Sequence, residues 1–417
     1  MPLYRDPGNS NLYEVLKVQT CSGIPLSTEL SNIETTSKGR LLVANPETIF
    51  FNTFQYGTET DVWETSTTSG GTATHVAATS SVDMAVTSTT GSQVIRQTLN
   101  TMRYIPGRQA TLAFAVRYAT PVVGIRRRVG LFNGTDGFYF EDNGGDYACV
   151  IINGGSVTRV ARASWNGDKL DGAGASGLTA DATAQQIICL DYEWYGAGQV
   201  VFSFVIGGEK RVIHTFNTGN ILALPWCKTP FLPIRLELKN TTGAAGTHHM
   251  YQGSNSLVID GNSIRLGTLQ NALTPLDGIT LTTANTFYPV LSIRLKSTAL
   301  GGVALPSLFQ ASSLDNTNVF YKIIRNATLN GTWVDQADTN AFTQYNVTST
   351  GAVTSGIVLD SGYIGAGNTA VINLNQSGNY QIGRSALGTV SDTFTIAIAA
   401  VNANKSGIAS LTWIEQR

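Results

Sequence analysis

Between Ile187 and Phe216 the chain reads as three runs of strand length separated by glycine. Ile187 to Tyr195 and Gln199 to Ile206 are divided by Gly196, Ala197 and Gly198, and Gly207-Gly208 separates the second run from Glu209 to Phe216. Glycine supplies the positive φ that tight hairpins require, and two glycines between β-branched and aromatic runs are a strong hairpin signal. In the middle run Val200, Phe202, Phe204 and Ile206 share one face, with Gln199, Val201, Ser203 and Val205 on the other. A period of two with one greasier face predicts a three-stranded antiparallel meander laid on a core, at the centre of a β-sandwich.

Composition supports strands over helices. Charged residues make up 13% of the 417 residues, about half the share in an average globular chain, and 43 residues are glycine. Exposed helical faces usually need Lys, Glu and Arg, whereas Gly, Ser, Thr and Asn suit many short strands joined by turns. A net charge of −1 provides no field for a nucleic-acid backbone or a charged membrane, so neither partner is expected. No run approaches 18 apolar residues, which argues against a membrane helix. The residues after Met1 lack the apolar core of a secretory signal, an arrangement expected of synthesis in a reducing cytoplasm. Cys21, Cys149, Cys189 and Cys227 form no C-x-x-C pair, and no metal or other cofactor is expected. Cys149 and Cys189 sit in apolar runs and read as small buried hydrophobes.

Three segments follow from the patterning. Residues 1–46, with two prolines near the start and only short apolar pairs, read as an extended N-terminal arm. Residues 47–284 read as a main β-sandwich of jelly-roll type, its strands bounded by Asn-Gly, Gly-Gly and Pro-Gly turns. Within it, Thr65 to Gly71 reads as a loop, and His248 to Asn285 as a connector with a few strands. Residues 285–417 read as a second, smaller β-sandwich, beginning at Phe287 to Lys296 and closing at Ser410 to Glu415.

The residues that carry chemistry are few. Asp191 and Glu193 lie two apart, which on a strand sends both carboxylates to one face, as in the acid pairs of some sandwich glycosidases. The competing reading is a pair of solvated acids, and the third carboxylate such enzymes carry is missing, since Trp194 and Tyr195 follow. Trp194, Tyr195 and Tyr139 are candidate platforms for stacking sugar rings. Asn166 to Gly172, with Asp168 and Asp171, is oxygen-rich like a calcium loop but lacks the twelve-residue spacing and terminal glutamate, leaving an Asx-turn loop as the simpler reading. Arg126, Arg127 and Arg128 form the dense basic run, read as a solvated edge or a subunit contact with the middle arginine facing away from the other two. His248 and His249 lack a third ligand nearby. No nucleophile elbow or phosphate loop occurs.

Several stretches together resemble a family of virion structural proteins of tailed bacteriophages. They include Phe50 to Phe54, Arg96 to Gly107, Val129 to Glu141, Trp165 to Gly172, Asp191 to Gly198 and Ser410 to Glu415. The resemblance spans most of residues 50 to 415 and implies a non-enzymatic component of the particle exterior, in tail fibre, baseplate or capsid decoration. It further implies a homo-oligomer, usually of three copies, in contact with other virion proteins. It supplies no catalytic residues. The alternative is a glycan-binding module that recognises a host surface sugar through Trp194, Tyr195 and Tyr139, and a glycoside hydrolase using Asp191 and Glu193 ranks below it.

Overall fold

The computed structural model describes residues 45–261, 267–374 and 380–416. The expected arm falls almost entirely outside these residues, as does the strand expected at 264–266. The chain is all-β, with four antiparallel sheets and no α-helix among the described residues.

In chain order the first strands are β1 (Pro46–Asn52), β2 (Trp63–Thr68), β3 (Thr72–Val76), β4 (Ser81–Val86) and β5 (Gln93–Thr98). Then come β6 (Ala110–Arg117), β7 (Ile125–Phe132), β8 (Gly137–Asn143), β9 (Asp146–Asn153) and β10 (Ser156–Ala161). The set closes with β11 (Gln186–Tyr192), β12 (Gln199–Ile206), β13 (Glu209–Asn217), β14 (Ile234–Asn240) and β15 (His248–Asp260). An eight-stranded sheet runs β13-β12-β11-β6-β15-β4-β3, with β1 also on β15, and a seven-stranded sheet runs β10-β9-β8-β7-β14-β5-β2. Their facing sides share one core that includes Leu112, Phe114, Phe138, Phe202, Leu236 and Leu257.

The predicted meander is present: β11 pairs with β12 and β12 with β13. Gly207 and Gly208 both have positive φ, 63° and 82°, the turn that matches the twist of a tight hairpin. It occupies one edge of the sheet, however, and not the centre. A central place goes to β15, thirteen residues that the sequence presents as a connector. The Gln-Gly-Ser-Asn segment interrupts its apolar pattern at residues 252–255, where the register with β6 shifts in a bulge. Thr65 to Thr68, expected as loop, continues β2, as β-branched threonine can.

The second sandwich is built from β16 (Thr268–Leu273), β17 (Ile279–Leu281), β18 (Tyr288–Leu295), β19 (Val303–Ser313), β20 (Val319–Arg325) and β21 (Val334–Asp335). It is completed by β22 (Thr343–Asn346), β23 (Ile357–Ile364), β24 (Thr369–Asn373), β25 (Thr393–Ala400) and β26 (Lys405–Gln416). A five-stranded sheet orders β16-β26-β19-β24, with β17 also on β26, opposite a six-stranded sheet β21-β22-β18-β25-β20-β23. Because β16 and β17 pair with β26, these sheets begin at Thr268, ahead of the boundary expected at 284. Phe231 packs with Val303 and Leu305 where the two sandwiches meet. Polar ties cross the same junction, Arg325 donating to Asn100 and Gln381 to Thr101.

Two arginines lie inside the first sandwich. Arg127, expected at a solvated edge, is 1% exposed on β7, an inner strand, and pairs with the fully buried Asp142 at 2.7 Å. Its Nε donates across the core to the carbonyl of His249 on β15. Arg96 on β5 donates to Gln252 Oε1 on the same opposite strand at 2.7 Å, and its guanidinium lies 5.6 Å from the Trp63 ring. Breaking a buried pair leaves an uncompensated charge, so Arg127→Met should cost about 3–5 kcal/mol in urea unfolding, with most of the loss recovered in the Arg127→Met/Asp142→Leu double variant. Equal destabilisation of the single and double variants would show that Arg127 acts through its backbone-carbonyl contacts instead.

Candidate functional site: an aromatic cleft between the sandwiches

The loop after β11 sets the position of Trp194. Tyr195 and Gly196 both take left-handed backbone, φ 41° and 78°, and the Gly198 N–H donates back to the Trp194 carbonyl at 2.9 Å. Trp194 is then held at both ends: its backbone N–H donates to Tyr104 Oη at 2.8 Å, and its indole Nε1–H to the Cys227 carbonyl at 2.9 Å. Burial raises the Tyr104 phenol well above its usual pKa, so it stays neutral as the acceptor.

The segment carrying Cys227 is itself anchored. The Trp226 N–H reaches the Gly196 carbonyl at 2.9 Å, and the Trp226 ring packs edge-on against Phe138. The buried carboxylate of Asp136 accepts the Lys228 N–H at 3.0 Å. On the facing side, Phe342 is fixed by its N–H to the buried Glu415 of β26 at 3.1 Å. Its ring lies over Gly302, where a Cβ would stand 2.6 Å from a ring carbon.

Between these walls is a cleft of about 530 Å³, within the size range of small-ligand sites. Trp194, Tyr104, Phe231 and Phe342 line it with Lys228 and Thr229. Its lining is mostly apolar, with one ammonium and no carboxylate among the described residues. Such a surface suits the flat C–H face of a ring compound, with polar groups at the rim to bond its hydroxyls.

The structure separates the other sequence candidates. Tyr195 is 45% exposed beside the cleft but does not line it. Tyr139 is 1% exposed, packed against Phe132 at 4.7 Å with the Arg128 guanidinium over its ring, so it presents no face to a sugar. Its strand is buried on both sides, which alternation alone does not reveal. Asp191 is 2% exposed, Oδ1 accepting from Thr111 at 2.6 Å and Oδ2 paired with Lys210 at 2.9 Å. Glu193 is equally buried, one residue beyond the end of β11. Neither acid lines the cleft. Asp168 accepts the backbone N–H groups of Leu170 and Ser176 at 2.8 and 2.7 Å, closing the oxygen-rich loop on itself. His249 pairs with Asp83 at 2.8 Å. Sequence reasoning missed Lys228 and Phe231, from one segment, and Phe342, from another more than a hundred residues later, with no shared motif.

Fold and site together define an antiparallel sandwich protein of jelly-roll type with an aromatic cleft. No family model matches the chain, and no curated protein does. Solved structures are similar in fold. A putative beta-glucanase of Mycobacterium abscessus is 11% identical and covers 51% of this chain and 100% of its own, with a TM-score of 0.36. The Bacillus licheniformis beta-glucanase is 13% identical and covers 51% of this chain and 98% of its own, with a TM-score of 0.33. A protein of unknown function from Shewanella oneidensis is 9% identical and covers 60% of this chain and 98% of its own, with a TM-score of 0.35. The expectation that the chain is not an enzyme is corrected on this finding, because chains described as glucanases are among those it resembles in fold. The likeness concerns the fold alone and assigns no reaction to this chain.

A Cβ at Gly198 would stand 1.7 Å from the Glu193 carbonyl oxygen, so the Trp194 loop cannot close with any other residue there. Gly198→Ala should lower unfolding stability by roughly 2–3 kcal/mol and shift the tryptophan emission as the indole leaves the Cys227 carbonyl. Unchanged emission and stability would show that the loop relaxes freely.

Proposed function

We propose that this chain recognises carbohydrate, with the cleft at Trp194 as the seat. The observation that carries the reading is a preorganised aromatic cleft, in which Trp194 is fixed by two hydrogen bonds before any ligand arrives. Preorganisation spares the ordering cost that binding otherwise incurs, and an aromatic wall with a lone ammonium fits a sugar better than a charged polymer. Of the three residues first considered for stacking, the reading keeps Trp194.

A second reading is favoured by the resemblance to phage virion proteins and by one surface. The outward face of the five-stranded sheet carries the exposed Leu269, Leu273 and Val371 and the half-buried Ile408 among Asn, Ser, Thr and Gln, and the Leu276 side chain beside it is 96% exposed. Exposed apolar surface of this kind marks contact with another protein. In this reading the chain is an exterior particle component that assembles through its β domains, and sugar recognition is compatible with that place.

A glycan array on the purified chain should reveal a saccharide ligand, and Trp194→Ala should weaken it by about tenfold or more, as loss of an aromatic anchor does. No signal on any saccharide ends the carbohydrate reading. For assembly, light scattering after sizing should give a defined oligomer that Leu269→Lys/Leu273→Lys disperses; a monomer at high concentration ends the second reading.

A further inference from the structure

The outer face of the seven-stranded sheet holds a feature that the cleft does not use. Alternation on β7 sends Ile125, Arg127 and Val129 into the core, so Arg126 and Arg128 point outward. On β14, Leu236 and Leu238 are core residues, and Arg235, Glu237 and Lys239 project to the same outer side. The carboxylates here are already engaged. Glu141 pairs with Arg128 and Arg159, both at 2.8 Å, and is held below its usual pKa despite burial. Glu237 pairs with Arg235 and, at 3.6 Å, with Arg128.

Arg126 and Lys239 are left over. They are direct cross-strand partners, and neither has an ion pair or side-chain hydrogen bond among the described residues. Like charges placed opposite each other on one face of a sheet are destabilising. Arg126 is also half-buried, and burial with the neighbouring Arg128 charge lowers its pKa, against the weaker opposing pull of Glu237 and Glu141. The same row continues on either side with neutral amides, Asn143 opposite Arg126 and Gln93 opposite Lys239. A guanidinium and an ammonium side by side, flanked by two amides, form a row of donors for one carboxylate with hydroxyls on both sides.

We propose that this row is a binding site for an acidic saccharide, its carboxylate seated between Arg126 and Lys239 and its hydroxyls on Asn143 and Gln93. The inference rests on the carbohydrate reading and names a sugar class and a surface for it. A single carboxylate suits the site better than a phosphate backbone, since the spare charge is confined to one cross-strand pair and the chain as a whole carries −1.

Calorimetric titration with an oligogalacturonate and with its methyl-esterified neutral form tests the proposal on the full chain. The acidic form should bind and the ester bind at least about tenfold more weakly, the difference one charge-assisted contact makes. Arg126→Gln/Lys239→Gln should abolish that preference, whereas Trp194→Ala should leave it in place. Equal binding of the two forms, or acidic binding that survives the double substitution, overturns this site while leaving the cleft reading intact. If no saccharide of either kind binds, on the array or in titration, the carbohydrate reading itself fails and the site with it. Circular dichroism and urea unfolding of the double variant establish that it is folded; removal of two facing like charges should leave its stability equal or higher.

Discussion

Two cations in the interior bolt the first sandwich together. Arg96 and Arg127 start from β5 and β7, the strands on either side of β14, and both reach the same strand of the opposite sheet, at Gln252 and at the His249 carbonyl. Arg127 has a carboxylate partner, whereas Arg96 is met by Gln252, Thr65 and the Thr58 carbonyl and by the rings of Phe54 and Trp63. Burial lowers the pKa of Arg96 to about 10, which still leaves it charged at neutral pH. A buried charge is tolerated only where its donors are filled, so these contacts specify how the sheets lie across one another more sharply than apolar packing does. The bulge in β15 belongs to the same arrangement, since it brings polar Gln252 inside at the place where Arg96 arrives.

That arrangement explains what could be read from the residues beforehand. Where burial is one-sided, alternation is visible: Leu112, Phe114 and Val116 on β6 and Phe202 on β12 mark their core face plainly. Gly207-Gly208 announces its turn because only glycine takes two successive left-handed positions without strain. The pattern fails where polar groups are interior. The segment from Gln252 to Asn255 looks like connector because Gln252 serves Arg96 and the residues around it form a bulge, and the basic run looks like surface because Arg127 has a buried acid fifteen positions away. Strands β16 and β17 joined the wrong half because their partner, β26, lies more than a hundred residues later.

The site was legible only in part. Trp194 stands out as an aromatic beside a glycine turn, and that turn does hold it. Tyr139 and the two acids carry equally attractive chemistry in sequence, but two-sided burial removes Tyr139 from solvent and Lys210 with Thr111 occupies Asp191. Phe231 and Phe342 are ordinary apolar residues until tertiary folding sets them opposite an indole. The donor row on the seven-stranded sheet was hidden for the same reason, since Lys239 gains meaning only through its register with Arg126.

The facing walls of the cleft reach the ribosome exit at different times. Trp194 emerges early, whereas Phe342 waits for Glu415, the residue that accepts its amide, at the far end of β26. A nascent chain stalled before that strand would carry the residues of the first sandwich but lack the Glu415 acceptor that fixes Phe342. The cleft is therefore completed only once β26 has been made.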